Sequence, residues 1–242
     1  MRVHAVQFDI IWENPPANHV TVRSLTSDVP AGGLIILPEM FATGFSFDPQ
    51  RTAGSTDFIH ALARERQCYV LAGLVSADGL RNEAVACDPS GREITRYCKL
   101  HPFRPGGEPY RPGSEPVTFP CGEFTVAPFI CYDLRFPEVF RAVAATLFVV
   151  IANWPAQRED HWLTLLKARA IENQAYVVGV NRIGRDPKNE YAGRSQIIGP
   201  RGDIIADAGN EARVLTGEIG LEPLLTYRCE FPVLRDRQAS TM

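Results

Sequence analysis

The sequence predicts a single α/β domain, on three observations. Short apolar runs rich in β-branched residues recur along the chain, and helix-like stretches separate several of them. One pair of runs is instead joined by a tight polar turn, which predicts antiparallel pairing. The 242 residues contain no internal repeat and no linker-like boundary, so we expect one domain over residues 1–242.

Six apolar runs predict strands, at residues 3–8, 34–37, 69–75, 124–130, 147–152 and 176–180. Helices are predicted at 18–29, 56–66, 137–145 and 159–174. Residues 83–98 predict a hairpin that turns at Asp88-Pro89-Ser90-Gly91. Strands with helices on one side only must bury their other face, and two sheets packed face to face would do so.

The composition sets limits on partners and location. A formal net charge of -3 gives no electrostatic reason to expect a nucleic acid or an anionic membrane as partner. No run approaches the roughly 20 apolar residues of a membrane span. The first ten residues lack the continuous apolar core of a signal peptide, so we expect a cytoplasmic protein.

Six cysteines are scattered along the chain without a C-x-x-C pair. This argues against a structural zinc site or a dithiol redox motif. Cys131 is distinctive because it lies between an apolar strand, 124–130, and a proline at 137 that suits a helix start. Such turns often carry nucleophiles beside free backbone N–H groups, although Cys131 could equally be the last buried residue of its strand.

Two charged residues end other predicted strands. Glu39 follows an apolar run and precedes a turn rich in Phe and Gly, where burial would raise the pKa of a carboxyl and suit it to act as a base. Lys99 ends the second arm of the hairpin, where an ammonium could stabilise an oxyanion. Surface positions are the alternative for both. The adjacent Cys98 should point to the opposite face of its strand, so it is not an obvious second nucleophile.

The segments LPEMFATGF, YCKLHPF and ICYDLRFPEVFR resemble the three catalytic motifs of the nitrilase superfamily of carbon–nitrogen hydrolases, in order and in spacing. The resemblance covers essentially the whole chain. It implies a four-layer αββα sandwich, a thioester intermediate, a homodimer and no metal or organic cofactor. It also implies that Glu39 is the general base, Lys99 the oxyanion stabiliser and Cys131 the nucleophile, with the N–H of Tyr132 as a second oxyanion donor.

A second glutamate is usual in this family, and Glu108 in PGGEPYRPG is the similar position. It could orient Lys99 and tune a shared proton. The alternative is an exposed glutamate in a stiff loop rich in Pro and Gly.

Two further segments, ANWPAQREDHW and KARAIENQAYVVGVNRIG, are similar to the omega-amidase branch, which hydrolyses the distal amide of 2-oxo acid amides such as 2-oxoglutaramate or 2-oxosuccinamate. Such a carboxamide substrate carries a carboxylate, so an arginine is expected near the cysteine, and Arg135, Arg158 and Arg182 are the candidates. Phe41, Tyr132 and Trp154 are candidates for the pocket wall.

Other functions use the same residues. A nitrilase proper, an N-carbamoyl hydrolase or another amidase would share the three catalytic residues, as would an acyltransferase or a glutamine-dependent ammonia supplier. A binding protein with an inactive site on the same fold is the alternative from another class. Retention of Glu39, Lys99 and Cys131 together argues against it.

Overall fold

Two mixed β-sheets lie face to face in the computed structural model, which describes residues 1–48 and 55–237. The first sheet has the order β14-β1-β2-β3-β4-β5 and consists of β1 (Arg2–Gln7), β2 (Leu34–Ile36), β3 (Tyr69–Val75), β4 (Asn82–Cys87), β5 (Glu93–Cys98) and β14 (Arg213–Glu218). The second has the order β13-β12-β9-β8-β7-β6 and consists of β6 (Phe119–Cys121), β7 (Phe124–Ile130), β8 (Leu147–Ala152), β9 (Tyr176–Asn181), β12 (Gln196–Ile198) and β13 (Ile204–Asp207).

Helices cover the outer faces of the two sheets. They are α1 (Pro15–Leu25), α2 (Ser55–Arg66), α3 (Pro137–Arg141), α4 (Glu159–Asn173) and α5 (Leu221–Glu230). A short hairpin of β10 (Ile183–Arg185) and β11 (Glu190–Ala192) follows β9. In the described part of the chain, no helix combines the length and apolar character needed to cross a membrane.

Alternating side chains of β2 show how the layers form. Leu34 and Ile36 belong to the core between the two sheets, whereas Ile35 belongs to a second core that includes residues of α1 and α2. Trp162 and Leu166 of α4 pack on the second sheet from its other side. The layers therefore run helices, sheet, sheet, helices, and the predicted four-layer αββα sandwich is confirmed.

Strand directions bring several strand ends to one edge. β1, β2 and β3 are parallel, β4 reverses, and β5 reverses again, so β2 and β5 end at the same edge while β4 begins there. β7, β8 and β9 are parallel in the second sheet. Residues that follow β2, β5, β7 and β8 can therefore meet.

The predicted element bounds needed three kinds of correction. α1 begins at Pro15, not at residue 18, because the side chain of Asn14 caps it and proline suits a first turn. It ends before residue 29 because the Thr26 hydroxyl bonds back to the Val22 carbonyl. α3 ends at Arg141, and the elements β6, β10–β14 and α5 were not predicted because most are short or lack a continuous apolar run.

Candidate active site

Glu39 lies in a turn pressed against β3. The Gly73 N–H donates to the Pro38 carbonyl at 3.2 Å, and the Phe41 N–H donates to the Gly73 carbonyl at 3.2 Å. A Cβ added at Gly73 would lie 2.5 Å from the Glu39 Cα, so only glycine allows this approach. Met40 next to it has a left-handed φ of 45°. The turn drives Glu39 inward, where it is fully buried.

Cys131 occupies a strained turn at the end of β7. Its φ is 48°, a left-handed value that costs a residue other than glycine about 1–3 kcal/mol and is typical of functional sites. It starts a 3-10 turn over Cys131–Arg135. The thiol lies 3.9 Å from the Asn153 carbonyl, to which it donates. Cys131 keeps 8% of its surface exposed, at the floor of a cavity.

Lys99 joins the two glutamates. Its ammonium donates to Glu39 Oε1 at 2.9 Å and to Glu108 Oε2 at 2.8 Å, and all three side chains are buried. The Phe103 N–H also donates to Glu108. The location of Glu108 contradicts the exposed-loop alternative. Two N–H groups of the ammonium are used in this way, and the third remains for a developing oxyanion.

Two asparagines complete the hydrogen bonds of the carboxylates. The Asn82 amide donates to Glu39 Oε1 at 2.7 Å and to Glu108 Oε1 at 2.9 Å. The Asn153 backbone N–H donates to Glu39 Oε2 at 2.8 Å, and its side-chain amide donates to the Glu39 carbonyl at 2.7 Å. Asn153 follows β8 in the second sheet, so these bonds connect the two sheets at the site.

Asp133 fixes the Cys131 turn to the loop after β5. Its buried carboxylate accepts from the Ile130 N–H at 3.1 Å, from the Tyr97 hydroxyl at 2.7 Å, and from both the N–H and the ring of His101 at 2.9 Å. Tyr97 and His101 lie on either side of Lys99, so these bonds fix the position of the Cys131 turn relative to Lys99.

The carboxylates at the site favour the neutral form of the Cys131 thiol and the charged form of the Lys99 ammonium. Burial, and then the Glu39 carboxylate, raise the pKa of the Cys131 thiol well above its usual value, while Lys99 offsets part of the rise. Burial works against the charge on Lys99, but Glu39 and Glu108 outweigh it and raise the pKa of the ammonium. The resting thiol is therefore protonated, and it needs a base to become a nucleophile.

A cavity of about 720 Å³ opens above the Cys131 thiol. Tyr132, Arg135, Trp154 and Arg158, four of the residues expected to bind substrate, line it. The other lining residues are Trp12, Glu13, Phe45, Ser46, Phe47, Asp48, Phe103, Pro105, Gly106, Asn153, Pro155, Asp186, Lys188, Asn189 and Tyr191.

Arg182 and Phe41 do not line this cavity, which corrects two expectations. The Arg182 guanidinium is fully buried and donates to Asp9 at 2.8 Å and to the Ile10 carbonyl at 3.0 Å, so it connects the residue after β9 to the segment that follows β1. Phe41 packs 5.7 Å from the ring of Phe58, in the core that includes residues of α1 and α2. Both residues follow predicted strands, but their side chains point away from the thiol.

Sequence reasoning did not identify Asn82, Asp133 or Asn153. Asn153 directly follows an apolar run, the same signal that selected Glu39 and Cys131, and could have been found in that way. Asn82 begins a strand instead of ending one, so that signal did not apply. Within residues 1–48 and 55–237, no group of three or more His, Cys, Asp or Glu side chains is arranged to hold a metal ion.

Comparison with known sequences gives a consistent result. The sequence profile of the family described as carbon-nitrogen hydrolase matches residues 2–228. A hydrolase in the agr operon of Staphylococcus lugdunensis is 40% identical over 83% of this chain and 92% of that protein. Omega-amidase YafV of Escherichia coli K12 is 34% identical over 98% of this chain and 96% of that protein. A 2-oxoglutaramate amidase of Paenarthrobacter nicotinovorans is 37% identical over 90% and 82%.

A solved structure agrees with the fold. XC1258 of Xanthomonas campestris, a CN-hydrolase superfamily protein with an arsenic adduct in its active site, superposes with a TM-score of 0.93 at 30% identity. The superposition covers 100% of this chain and 98% of that one.

Proposed function

This chain belongs to the carbon–nitrogen hydrolase family, and we propose that it hydrolyses the distal amide of small 2-oxo acid amides, such as 2-oxoglutaramate or 2-oxosuccinamate, to the 2-oxo acid and ammonia. Two curated relatives, an omega-amidase and a 2-oxoglutaramate amidase, support this substrate class. Hydrolysis of a carbon–nitrogen bond is the activity that the family as a whole supports.

Two arginines without a carboxylate partner among the described residues line the cavity that contains the thiol, and they are the observation that carries the proposal. Arg135 and Arg158 both line the cavity, and neither forms an ion pair with a carboxylate among the residues that the structure describes. Arg135 lies over the ring of Trp154 at 4.7 Å, and Arg158 over that of Phe103 at 5.5 Å. Burial, and then the Arg158 charge, lower the pKa of Arg135.

A carboxylate is the ligand that this pair requires. Two neighbouring guanidinium groups repel each other in a partly dry pocket, and one anion between them removes the repulsion while accepting charge-assisted hydrogen bonds. Cys131 lines the same cavity. A short substrate with an amide at one end and a carboxylate at the other can therefore reach the thiol and the arginines together.

The first half of the reaction forms a thioester. Glu39 accepts the Cys131 proton as the sulfur attacks the amide carbon, and the negative oxygen that results accepts hydrogen bonds from Lys99 and the Tyr132 N–H. Glu39 then returns the proton to the nitrogen. The carbon–nitrogen bond breaks, and ammonia leaves.

The second half hydrolyses the thioester. Glu39 removes a proton from a water molecule, whose oxygen attacks the thioester carbon through a second oxyanion at the same donors. Collapse releases the carboxylic acid and returns the proton to the sulfur. The net reaction consumes one amide and one water and yields one acid and one ammonia. Glu108 supports Lys99 throughout because it shares the ammonium with Glu39.

We predict that the enzyme prefers a free carboxylate on the substrate. The kcat/KM for 2-oxoglutaramate should exceed that for its methyl ester by at least about tenfold, because a charge-assisted hydrogen bond contributes roughly 1.5–3 kcal/mol. Arg135→Gln and Arg158→Gln should each remove most of the preference, while Cys131 should still be alkylated by iodoacetamide. Ammonia release in a matched-pH assay measures the rates.

Arg23→Gln is the matched control for the arginines. Arg23 also lies over an aromatic ring, that of Phe58 at 4.9 Å, but on α1 and away from the cavity. Equal efficiency towards acid and ester would remove the 2-oxo acid assignment. A panel of glutamine, asparagine, a nitrile and an N-carbamoyl amino acid would then identify which family activity takes its place.

A second prediction tests the choice of thiol. Cys131→Ala should keep the wild-type melting temperature and lose more than about 1000-fold in kcat, since no other described group can form the acyl-enzyme. Cys98→Ala is the control and should cost little: Cys98 lies at the end of β5 and its thiol is directed to the Arg111 carbonyl. Equal loss in both variants would show that the wrong cysteine was chosen.

The homodimer and the cytoplasmic location stay predictions from the family resemblance and the sequence. Exposed apolar side chains occur on α4, on α5 and directly after α5: Ile171 is 46% exposed, Leu225 50% and Phe231 57%. A second copy covering them would bury this surface.

A further inference from the structure

Asn82 lies beneath the site, where its side chain contacts both glutamates and is itself buried. One amide hydrogen points to Glu39 Oε1 at 2.7 Å and the other to Glu108 Oε1 at 2.9 Å. An asparagine amide carries two N–H donors, so both are used on carboxylates. The mechanism above does not require this residue.

The two carboxylates need more than Lys99. Glu39 and Glu108 share a single ammonium in a buried site, so the two acids and one base leave one negative charge without a cation. Neighbouring like charges in a buried site cost free energy, which hydrogen-bond donors aimed at the charged oxygens can offset. The Asn82 amide is the neutral donor that contacts both acids at once.

The orientation of Asn82 is set by the carboxylates. Its Oδ1 is buried and has no hydrogen-bond partner among the described residues, which costs free energy. Exchanging Oδ1 and Nδ2 would direct the oxygen at two negative groups, which is worse. The backbone is fixed as well, since the Asn82 carbonyl accepts the Lys99 N–H at 2.9 Å. The residue is therefore held in one position relative to both Lys99 and the acids.

We propose that Asn82 is a positioning residue that holds Glu39 and Glu108 in one geometry around Lys99, so that the Glu39 carboxylate stays directed at the Cys131 thiol. The inference rests on the proposed roles of those residues, but not on the identity of the amide substrate. It assigns a catalytic consequence to a residue that touches no substrate.

Asn82→Ala and Asn82→Asp test the assignment. Both should lower kcat at least about tenfold and change KM less than about threefold, because the groups that bind substrate are untouched. The aspartate variant should also respond to pH. Its neutral carboxyl donates one O–H to a neighbouring acid, whereas its ionised form donates nothing and adds a third negative charge beside Glu39 and Glu108. Lys99 is the cation that both acids contact, and the neutral Tyr110 and Cys131 side chains are also titratable neighbours of the acids.

The ratio of variant to wild-type kcat for Asn82→Asp should therefore fall by about tenfold or more between pH 5.5 and pH 8. Alkylation of Cys131 by iodoacetamide, read by peptide mass spectrometry, should move to higher pH in the same variant, because an added negative charge opposes the thiolate. The alkylation experiment does not depend on any substrate, so it stays informative even if 2-oxoglutaramate proves to be the wrong amide.

Asn173→Asp provides the matched control. Asn173 is a buried asparagine on α4 whose amide donates to the Arg169 carbonyl at 2.9 Å, so the exchange tests a buried carboxylate outside the site. It should give a ratio of kcat values that does not depend on pH. A loss of kcat in Asn82→Asp that is constant with pH, or an unshifted alkylation profile, would overturn the positioning role. So would unchanged turnover in Asn82→Ala.

Discussion

At the scale of single residues, the site combines backbone strain with dense hydrogen bonding. Met40 and Cys131 both have left-handed φ values, although neither is glycine. Each strained residue sits beside or at a reacting group, and the surrounding bonds to Gly73 and Asp133 hold it there. The strain is therefore sustained by packing that must form before the site can work.

Replacing Glu39 should separate nucleophile acidity from turnover. The Glu39 charge helps to raise the pKa of Cys131, so Glu39→Gln removes a negative neighbour and should shift alkylation of the thiol to lower pH. Amide hydrolysis should nevertheless fall by at least about 100-fold, because no base remains. Stopped assays of ammonia and peptide mass spectrometry on the same samples measure both effects.

Glu65→Gln is the control for this experiment, since Glu65 pairs with Arg23 at the surface, outside the cavity lining. An alkylation profile that moves to higher pH in Glu39→Gln would contradict the sign of the interaction. Retained hydrolysis would remove Glu39 as the base.

The sequence predicted residues that come together because they stand at strand ends, and it failed where only tertiary contacts decide which residues are neighbours. Glu39, Lys99 and Cys131 each stand at the end of a predicted strand, and the strand directions bring them together. Arg135 and Arg182 also follow strands, and only the packed structure separates the residue that lines the cavity from the one paired with Asp9.

At the scale of elements, long apolar runs were predicted best. The bounds 69–75, 124–130 and 147–152 coincide with β3, β7 and β8, because buried strands in this core tolerate little besides apolar residues. The end of α1 depended on a local side-chain bond, which periodicity does not report. The polar strands β10 and β11 carried no pattern that could have been read.

The contact between α1 and α2 should make the fold sensitive to acid. His19 stacks on Phe58 with ring centres 4.1 Å apart, and burial, followed by Arg23, lowers its pKa to about 4. The unfolded chain, with a His pKa near 6.5, binds more protons than the folded one between these values. The free energy of unfolding should therefore be fully retained above about pH 6.5 and decline as the pH falls towards about 4.

His19→Phe keeps an aromatic ring and removes the titration. Between pH 7 and pH 4.5 its melting temperature should fall less than that of the wild type, as measured by calorimetry in matched buffers. Equal losses in both proteins would assign the acid sensitivity to other groups.

At the scale of the whole molecule, two sheets divide the chemistry between them. Glu39, Asn82 and Lys99 belong to the first sheet and its loops, whereas Cys131 and Asn153 belong to the second. The family resemblance supplied the sandwich, and the apolar runs alone did not choose it over a single sheet with helices on both faces. Side-chain placement between the sheets could not follow from either.

This division means that the arrangement of the active site depends on how the two sheets pack against each other. The bonds from Asn153 to Glu39 join the two sheets, so a displacement of one sheet relative to the other would break them and separate Glu39 from Cys131. A molecule that fills the cavity contacts loops that follow strands of both sheets, and it therefore links the two sheets. Bound substrate should therefore stabilise the packing of the two sheets, on which its own hydrolysis depends.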